Sequence, residues 1–125
     1  MAHSLNTLLL FGYCSLIYWL SDQPSFLPIL PFKAQDKIIH TAAYFMMGIL
    51  AWRCFIFWVK APLKTALLSF FFTIIFGLSD ELHQSFIQGR VADLFDWYAD
   101  ALGAFLAAFM LYVRKRRHHP LKIIA

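Results

Sequence analysis

Four runs of apolar residues, at about 4–20, 36–58, 62–87 and 93–113, divide this 125-residue chain. Each is near the ~20 residues that a helix needs to cross the ~30 Å hydrocarbon core of a bilayer. Backbone N–H and C=O groups find no water in that core, and a helix satisfies them within its own segment. The composition agrees, with 61% of residues hydrophobic and 18% aromatic and a mean hydropathy of +0.63, more apolar than a soluble domain of this length. The expected fold class is all-α: a four-helix transmembrane bundle, one integral membrane domain over 1–125, in a multi-pass protein. The first run is the shortest. It lacks a basic leading segment and a small-residue cleavage site, and therefore reads as a retained helix rather than a secretion signal.

Charge placement sets the expected orientation. Arg114, Lys115, Arg116 and Arg117 open a basic tail over 114–125, and Lys60 and Lys64 lie between the second and third runs. The positive-inside rule puts both segments, with the N-terminus and C-terminus, in the cytoplasm. All seven acids (Asp22, Asp36, Asp80, Glu81, Asp93, Asp96, Asp100) then face the outer side, with only Lys33, Lys37 and Arg90 of the eleven Lys/Arg. The net charge of +4 is thus an inner-end excess that meets anionic lipid, and no nucleic-acid partner is expected. Tyr18, Trp19, Trp97 and Tyr98 fall near the outer interface, and Trp52 and Trp58 near the inner one. Cys14 and Cys54 sit at different depths, which disfavours a disulfide. No Cys/His spacing resembles a zinc site, and no metal ligand is assigned.

The connections are informative. The segment 21–35 holds Pro24, Pro28 and Pro31, which prevent a regular helix, and its apolar residues suit a packed connector or a lid over a site. Asp36 is placed to cap the second helix, on the same face as His40 four residues later. Val59-Lys60-Ala61-Pro62 makes an antiparallel hairpin, with Pro62 tolerated in the first turn. Gly77, Glu81, Gln84 and Gln88 form a stripe on the third helix, and Gln88-Gly89-Arg90 reads as a turn. On the fourth helix Asp93, Asp96, Asp100, Gly103 and Ala107 form one seam, acidic at its outer end and small further in. Small residues let helices approach closely in lipid, so this seam is expected to face the interior. Phe70-Phe71-Phe72 reads as lipid-facing or packed apolar surface, His83 as a packed or solvated helix-end residue, and His118 and His119 as part of the basic tail.

The polar segments also carry a resemblance. Asp36-Lys37-Ile38-Ile39-His40, Asp80-Glu81-Leu82-His83-Gln84, the Gly89-Arg90 turn, and Asp93, Asp96 and Gly103 on the last helix match, in order and spacing, elements of the VanZ-like family. Ser21-Asp22-Gln23-Pro24 fits as well. Asp100 departs from the pattern, standing where the family is expected to carry Asn. The resemblance implies an integral membrane protein of the cell envelope, located in the cell membrane. Some family members are linked to resistance to the glycopeptide teicoplanin. It supplies no reaction.

Ionisable groups cost about 2.5–3.5 kcal/mol each at the centre of a membrane helix, so their concentration at one end calls for a reason. The candidate ligand-binding set is Asp36, Lys37, His40, Asp80, Glu81, Gln84, Arg90, Asp93, Asp96 and Asp100. Three uses are open. The cluster binds an envelope amphiphile, a lipid-linked precursor or an amphiphilic drug. Or it is a membrane enzyme acting on a phosphorylated or glycosylated lipid, with Glu81 as acid/base, His40 as proton partner, and Lys37 and Arg90 on a phosphate. Or it is a polar network serving the fold, with no ligand. No nucleophile motif, Asp-Asp-x-x-Asp repeat or Gly-rich phosphate loop assigns a reaction. No cofactor is expected, with Mg²⁺ entering only beside a phosphorylated lipid. Membrane lipid is the expected partner, and association with further copies is compatible with four helices.

Overall fold

The structure, a computed structural model, describes residues 1–24 and 35–118. Four helices account for nearly all of them: α1 (Ala2–Ser21), α2 (Gln35–Val59), α3 (Pro62–Gln84) and α4 (Leu94–His118). All four are long and apolar enough to cross a membrane, and no more than 39% of any of the apolar windows is buried within the bundle. The rest, including Phe11, Trp19, Phe71, Ile75, Phe105 and Phe109, faces outward. Such a surface suits lipid rather than water. The segment proposed as a lid lies largely outside the described residues, as does the tail beyond His118.

Side-chain partners fix the topology. His3 packs on Trp58, Asn6 donates to the Arg53 carbonyl and Tyr13 to the Ala43 carbonyl, so α1 and α2 run antiparallel. Lys37 reaches Asp93 and Asp96, and Gly48 lies against Ala104 and Ala107, so α2 and α4 run parallel. Both described ends of the chain therefore lie at one end of the bundle, with Lys60. All seven acids lie toward the other end.

The α2–α4 contact is a backbone contact. A Cβ on Gly103 would strike the Thr41 carbonyl oxygen and come within 2.7 Å of the Phe45 nitrogen; one on Gly48 would lie 2.8 Å from the Ala107 side chain. Thr41 Oγ1 donates to the Ala99 carbonyl across the same seam. The seam read from the sequence is thus the buried face of α4 (Asp96, Ala99, Asp100, Gly103, Ala104, Ala107 and Ala108), except at Asp93, which stands one residue ahead of the helix and is only partly buried. Gly77 has the matching role on α3, where a Cβ would meet Asp100 Oδ2 at 2.9 Å and Tyr44 at 3.0 Å.

Several boundaries differ from expectation. α3 stops at Gln84 rather than 87, because the N–H groups of Phe86 and Ile87 turn back to the His83 and Gln84 carbonyls. A turn follows, with Gly89 at φ +83°, and Gln88 is exposed and leaves the stripe. α4 continues through the basic residues to His118, where cations suit the negative end of the helix dipole. Asp36 lies inside the first turn of α2 rather than ahead of it. Trp52 is a core residue packed with Ala66 and Ala108, not an interfacial one. Lys60 ends α2 in the left-handed region at φ 56°, and Pro62 opens α3. Both cysteines are free.

Gly103→Ala is expected to lower bundle stability by roughly 1–3 kcal/mol through overpacking. Gly12→Ala, whose added Cβ meets nothing within 4 Å, should be neutral or slightly stabilising. Thermal unfolding of the two variants in one detergent checks the contrast.

Candidate functional site

The acidic end is built from three helix ends and one turn. α2 contributes Asp36, Lys37, His40 and Tyr44 from one face, at helical spacings of three and four. α3 contributes Asp80, Glu81 and Gln84, all buried. α4 contributes Asp96 and Asp100, with the seam behind them holding their register. Asp93 stands just before α4, where its Oδ1 accepts the Phe95 N–H at 2.9 Å and caps that helix.

His40 is the hub. Its Nδ1 is hydrogen-bonded to Asp100 Oδ1 at 2.8 Å and lies 4.0 Å from Glu81 Oε1, while Nε2 is 3.9 Å from Asp96 Oδ2. Tyr44 donates to Asp80 Oδ2 at 3.0 Å. Glu81 Oε2 accepts the Asp93 N–H at 3.1 Å, tying α3 to the start of α4. Among the described residues, Asp80 Oδ1, Glu81 Oε1, Asp100 Oδ2 and Ser21 Oγ are buried with no hydrogen-bond partner. A buried carboxylate oxygen left in this condition costs roughly 1–3 kcal/mol or more, which marks these atoms as places where something can be recognised.

Neither cation is held open. Lys37 is shared between Asp93, at 2.8 Å, and Asp96. The ammonium beside Asp93, helped by the Phe95 N–H, holds that carboxyl below the usual carboxylate range. Arg90 donates from Nε to the Gln23 carbonyl at 2.7 Å and from Nη2 to the Leu20 carbonyl at 2.9 Å. It caps the C-terminal end of α1, where helix carbonyls lack intrahelical partners. The expected role of Lys37 and Arg90 as a phosphate clamp does not match these engagements.

A cavity of about 290 Å³ opens beside the cluster, between α1, α2 and α3. Asp36, His40, Asp80, Gln84, Arg90 and Ser21 form its polar part, and Ile17, Leu20, Ile39 and Ala43 its apolar part. A more polar depression of about 180 Å³ shares Asp36, His40, Gln84 and Arg90 and adds Asp96. The structure thus gathers the whole sequence-predicted set, but divides it: Lys37, Asp93 and Asp96 form an ion-paired edge, Asp36, His40, Asp80, Gln84 and Arg90 face the cavity, and Glu81 and Asp100 lie against His40 outside its lining. Tyr44 and Ser21 were not in that set. Tyr44 follows His40 by four residues and the signal was its place on that face; for Ser21 the signal was the Ser21-Asp22-Gln23-Pro24 segment of the family resemblance. His83 stacks on Tyr18 at 4.6 Å and meets Asp22 Oδ1 at 3.1 Å, a packed helix-end role.

The profile of the VanZ/LLP1 family matches residues 5–115, which takes in all four helices up to the basic end of α4. An uncharacterised protein of Schizosaccharomyces pombe is 30% identical over 99 residues, covering 78% of this chain and 60% of that protein. The chain therefore spans about three-fifths of the relative's length. No solved structure matches.

Lys37→Met leaves the buried Asp96 without its ammonium and should destabilise by roughly 1–3 kcal/mol, the partial exposure of Lys37 keeping the loss below that of a fully buried pair. Because the folded Asp93 value lies below 3.8, its pairing contributes stability above that pH and loses it as pH falls through the folded value. NMR titration of the Asp93 carboxyl carbon should show a low midpoint that rises in Lys37→Met.

Proposed function

Because this chain belongs to the VanZ/LLP1 family, and folds as four helices of membrane-spanning length, we propose that it is a multi-pass protein of the cell membrane that holds a membrane amphiphile in the cavity between α1, α2 and α3. The observation that carries this reading is the division of that cavity. Its polar part holds two buried atoms without partners among the described residues, Ser21 Oγ and Asp80 Oδ1. Its apolar part consists of aliphatic side chains. A headgroup bearing hydroxyl or amine donors satisfies Asp80, and a hydrocarbon segment covers Ile17, Leu20, Ile39 and Ala43.

The positive-inside rule puts the Lys60 end and the Arg114–Arg117 segment in the cytoplasm and the cavity at the outer leaflet. An envelope lipid or lipid-linked precursor reaches that depth by lateral diffusion. Sequestering such a precursor is the route by which a protein of this kind would alter the response to teicoplanin. Acid/base turnover is the second reading, favoured by Glu81 Oε1 lying 4.0 Å from His40 Nδ1 with no other partner among the described residues.

Native mass spectrometry of the gently purified protein should show one retained amphiphile per chain. Ala43→Phe, which fills the apolar part, is expected to reduce retention by about tenfold, equivalent to ~1.4 kcal/mol, with the fold intact. Asp80→Asn should shift which headgroup is retained. Bulk phospholipid alone, unchanged in both variants, defeats the proposal. A chemically altered amphiphile after incubation, absent with Glu81→Gln, would establish turnover instead.

A further inference from the structure

Six carboxylates converge at the outer end of the bundle: Asp36, Asp80, Glu81, Asp93, Asp96 and Asp100. Lys37 serves two of them, Asp93 and Asp96. Arg90 spends its hydrogen bonds on the backbone carbonyls of Leu20, in α1, and Gln23, just beyond it. Glu81 and Asp100 therefore face His40 and no other basic side chain within ion-pair distance among the described residues. Both are buried, at 5% and 0% exposure. Each also keeps one oxygen, Glu81 Oε1 and Asp100 Oδ2, without a hydrogen-bond partner among the described residues. Glu81 Oε1 points at His40 Nδ1 from 4.0 Å. Two buried carboxylates that each leave one oxygen without a donor are an unfavourable way to fill such a place.

We infer that His40, Glu81 and Asp100 form a binding site for one divalent metal ion of the Mn²⁺ or Zn²⁺ class. One ligand atom from each lies within 4.8 Å of the other two. Ligand atoms about 2.0–2.2 Å from a common ion lie roughly 3–3.5 Å apart, so closure needs side-chain shifts of about an ångström. One imidazole with two carboxylates suits first-row divalent ions better than Mg²⁺, which favours an all-oxygen shell. Helices set the three positions: α2 presents His40, α3 Glu81 and α4 Asp100, with the Gly103 contact fixing α4 against α2. Metal binding uses the Nδ1 lone pair, so the ring proton moves to Nε2, which faces Asp96 Oδ2 at 3.9 Å. Asp96 then orients the ligating ring from behind, as carboxylates commonly do for metal-bound histidines. The polar depression of about 180 Å³ that includes His40 and Asp96 gives the ion a path from water. A second grouping, Asp36, His40 and Asp96, is the weaker choice, because Asp96 is already paired with Lys37 and Asp36 is exposed. The site does not depend on the amphiphile reading, since its Glu81 and Asp100 ligands lie outside the cavity lining.

The test is a Mn²⁺ titration of the full chain in lipid nanodiscs after chelator treatment, followed by electron paramagnetic resonance. It is done in a His118→Ala, His119→Ala background to remove the tail imidazoles. The expected result is one bound Mn²⁺ per chain with nitrogen coupling from an imidazole, lost in His40→Gln. Affinity should fall more than about tenfold in Glu81→Gln and in Asp100→Asn. Zn²⁺ should displace the bound Mn²⁺. Absence of stoichiometric Mn²⁺ in protein with intact helicity overturns the site, as does binding without nitrogen coupling. That second readout needs no substitution in the cluster, so it stands even where a variant fails to fold. Unchanged affinity in both carboxylate variants also overturns it. Retained amphiphile with no bound ion would sink this inference and leave the proposed function standing; bound ion with no retained amphiphile would do the reverse.

Discussion

The backbone contact of α4 on α2 at Gly103 is the constraint from which the rest follows. No side chain separates the two helices there, so their relative height is fixed by the main chain of Thr41 and Phe45. One turn above, that height brings Asp100 to His40; two turns above, it brings Asp96 to Lys37. A larger residue at 103 would push the helices apart and lengthen every one of those pairs together. In lipid, where hydrocarbon gives little drive for helices to leave it for one another, such close packing is a principal source of association. The site at the acidic end thus rests on a feature without chemistry of its own.

The polar end is not explained by packing alone. Interhelical polar contacts in bilayers contribute only about 0.6 kcal/mol on average. Single ties such as Tyr13 to the Ala43 carbonyl or Asn6 to the Arg53 carbonyl are of that kind. The acidic end holds seven carboxylates, of which Lys37 balances two and His83 meets a third, Asp22. Glu81 uses one oxygen to hold the chain entering α4 and leaves the other unmet among the described residues. A network selected only to join helices would be expected to close those valences, since an apolar pair of the same shape is often as stable as a buried ionic one.

Much of this architecture was legible in the sequence because bilayer physics restricts the alternatives. Run length gave four helices, and the three-and-four spacing of Asp96, Asp100, Gly103 and Ala107 gave the buried face of α4. Asp36 and His40 were likewise placed together by spacing. What was not legible concerned partners across helices. Nothing in the local sequence says that Arg90 reaches back to the Leu20 and Gln23 carbonyls, so it read as a free cation suited to phosphate. Trp52 read as interfacial because its depth in the run was right; its direction, toward Ala66 and Ala108, depends on tertiary packing. Tyr44 shows the same limit, since its bond to Asp80 joins positions 36 apart. The end of α3 was overrun because Phe86 and Ile87 continue the apolar pattern after the backbone has turned.

Arg90 links the two halves of the acidic end. It sits in the turn that delivers Asp93 to α4, yet its guanidinium holds carbonyls in the last turn of α1 and just beyond it. The helix it holds is the least embedded of the four, joined to α2 by a few side-chain bonds and to α3 near Tyr18 and His83. The cavity lies between that helix and α2 and α3, with Arg90 in its wall. The α2–α3–α4 core thus holds the His40 cluster, and α1 forms one wall of the cavity beside it. Neutral backbone carbonyls bind a guanidinium less tightly than a carboxylate does, so this tie is weaker than the ion pairs of Lys37. Under the proposed function, an amphiphile's headgroup would meet side chains of the α2–α3–α4 core and its hydrocarbon part the aliphatic residues of α1 and α2.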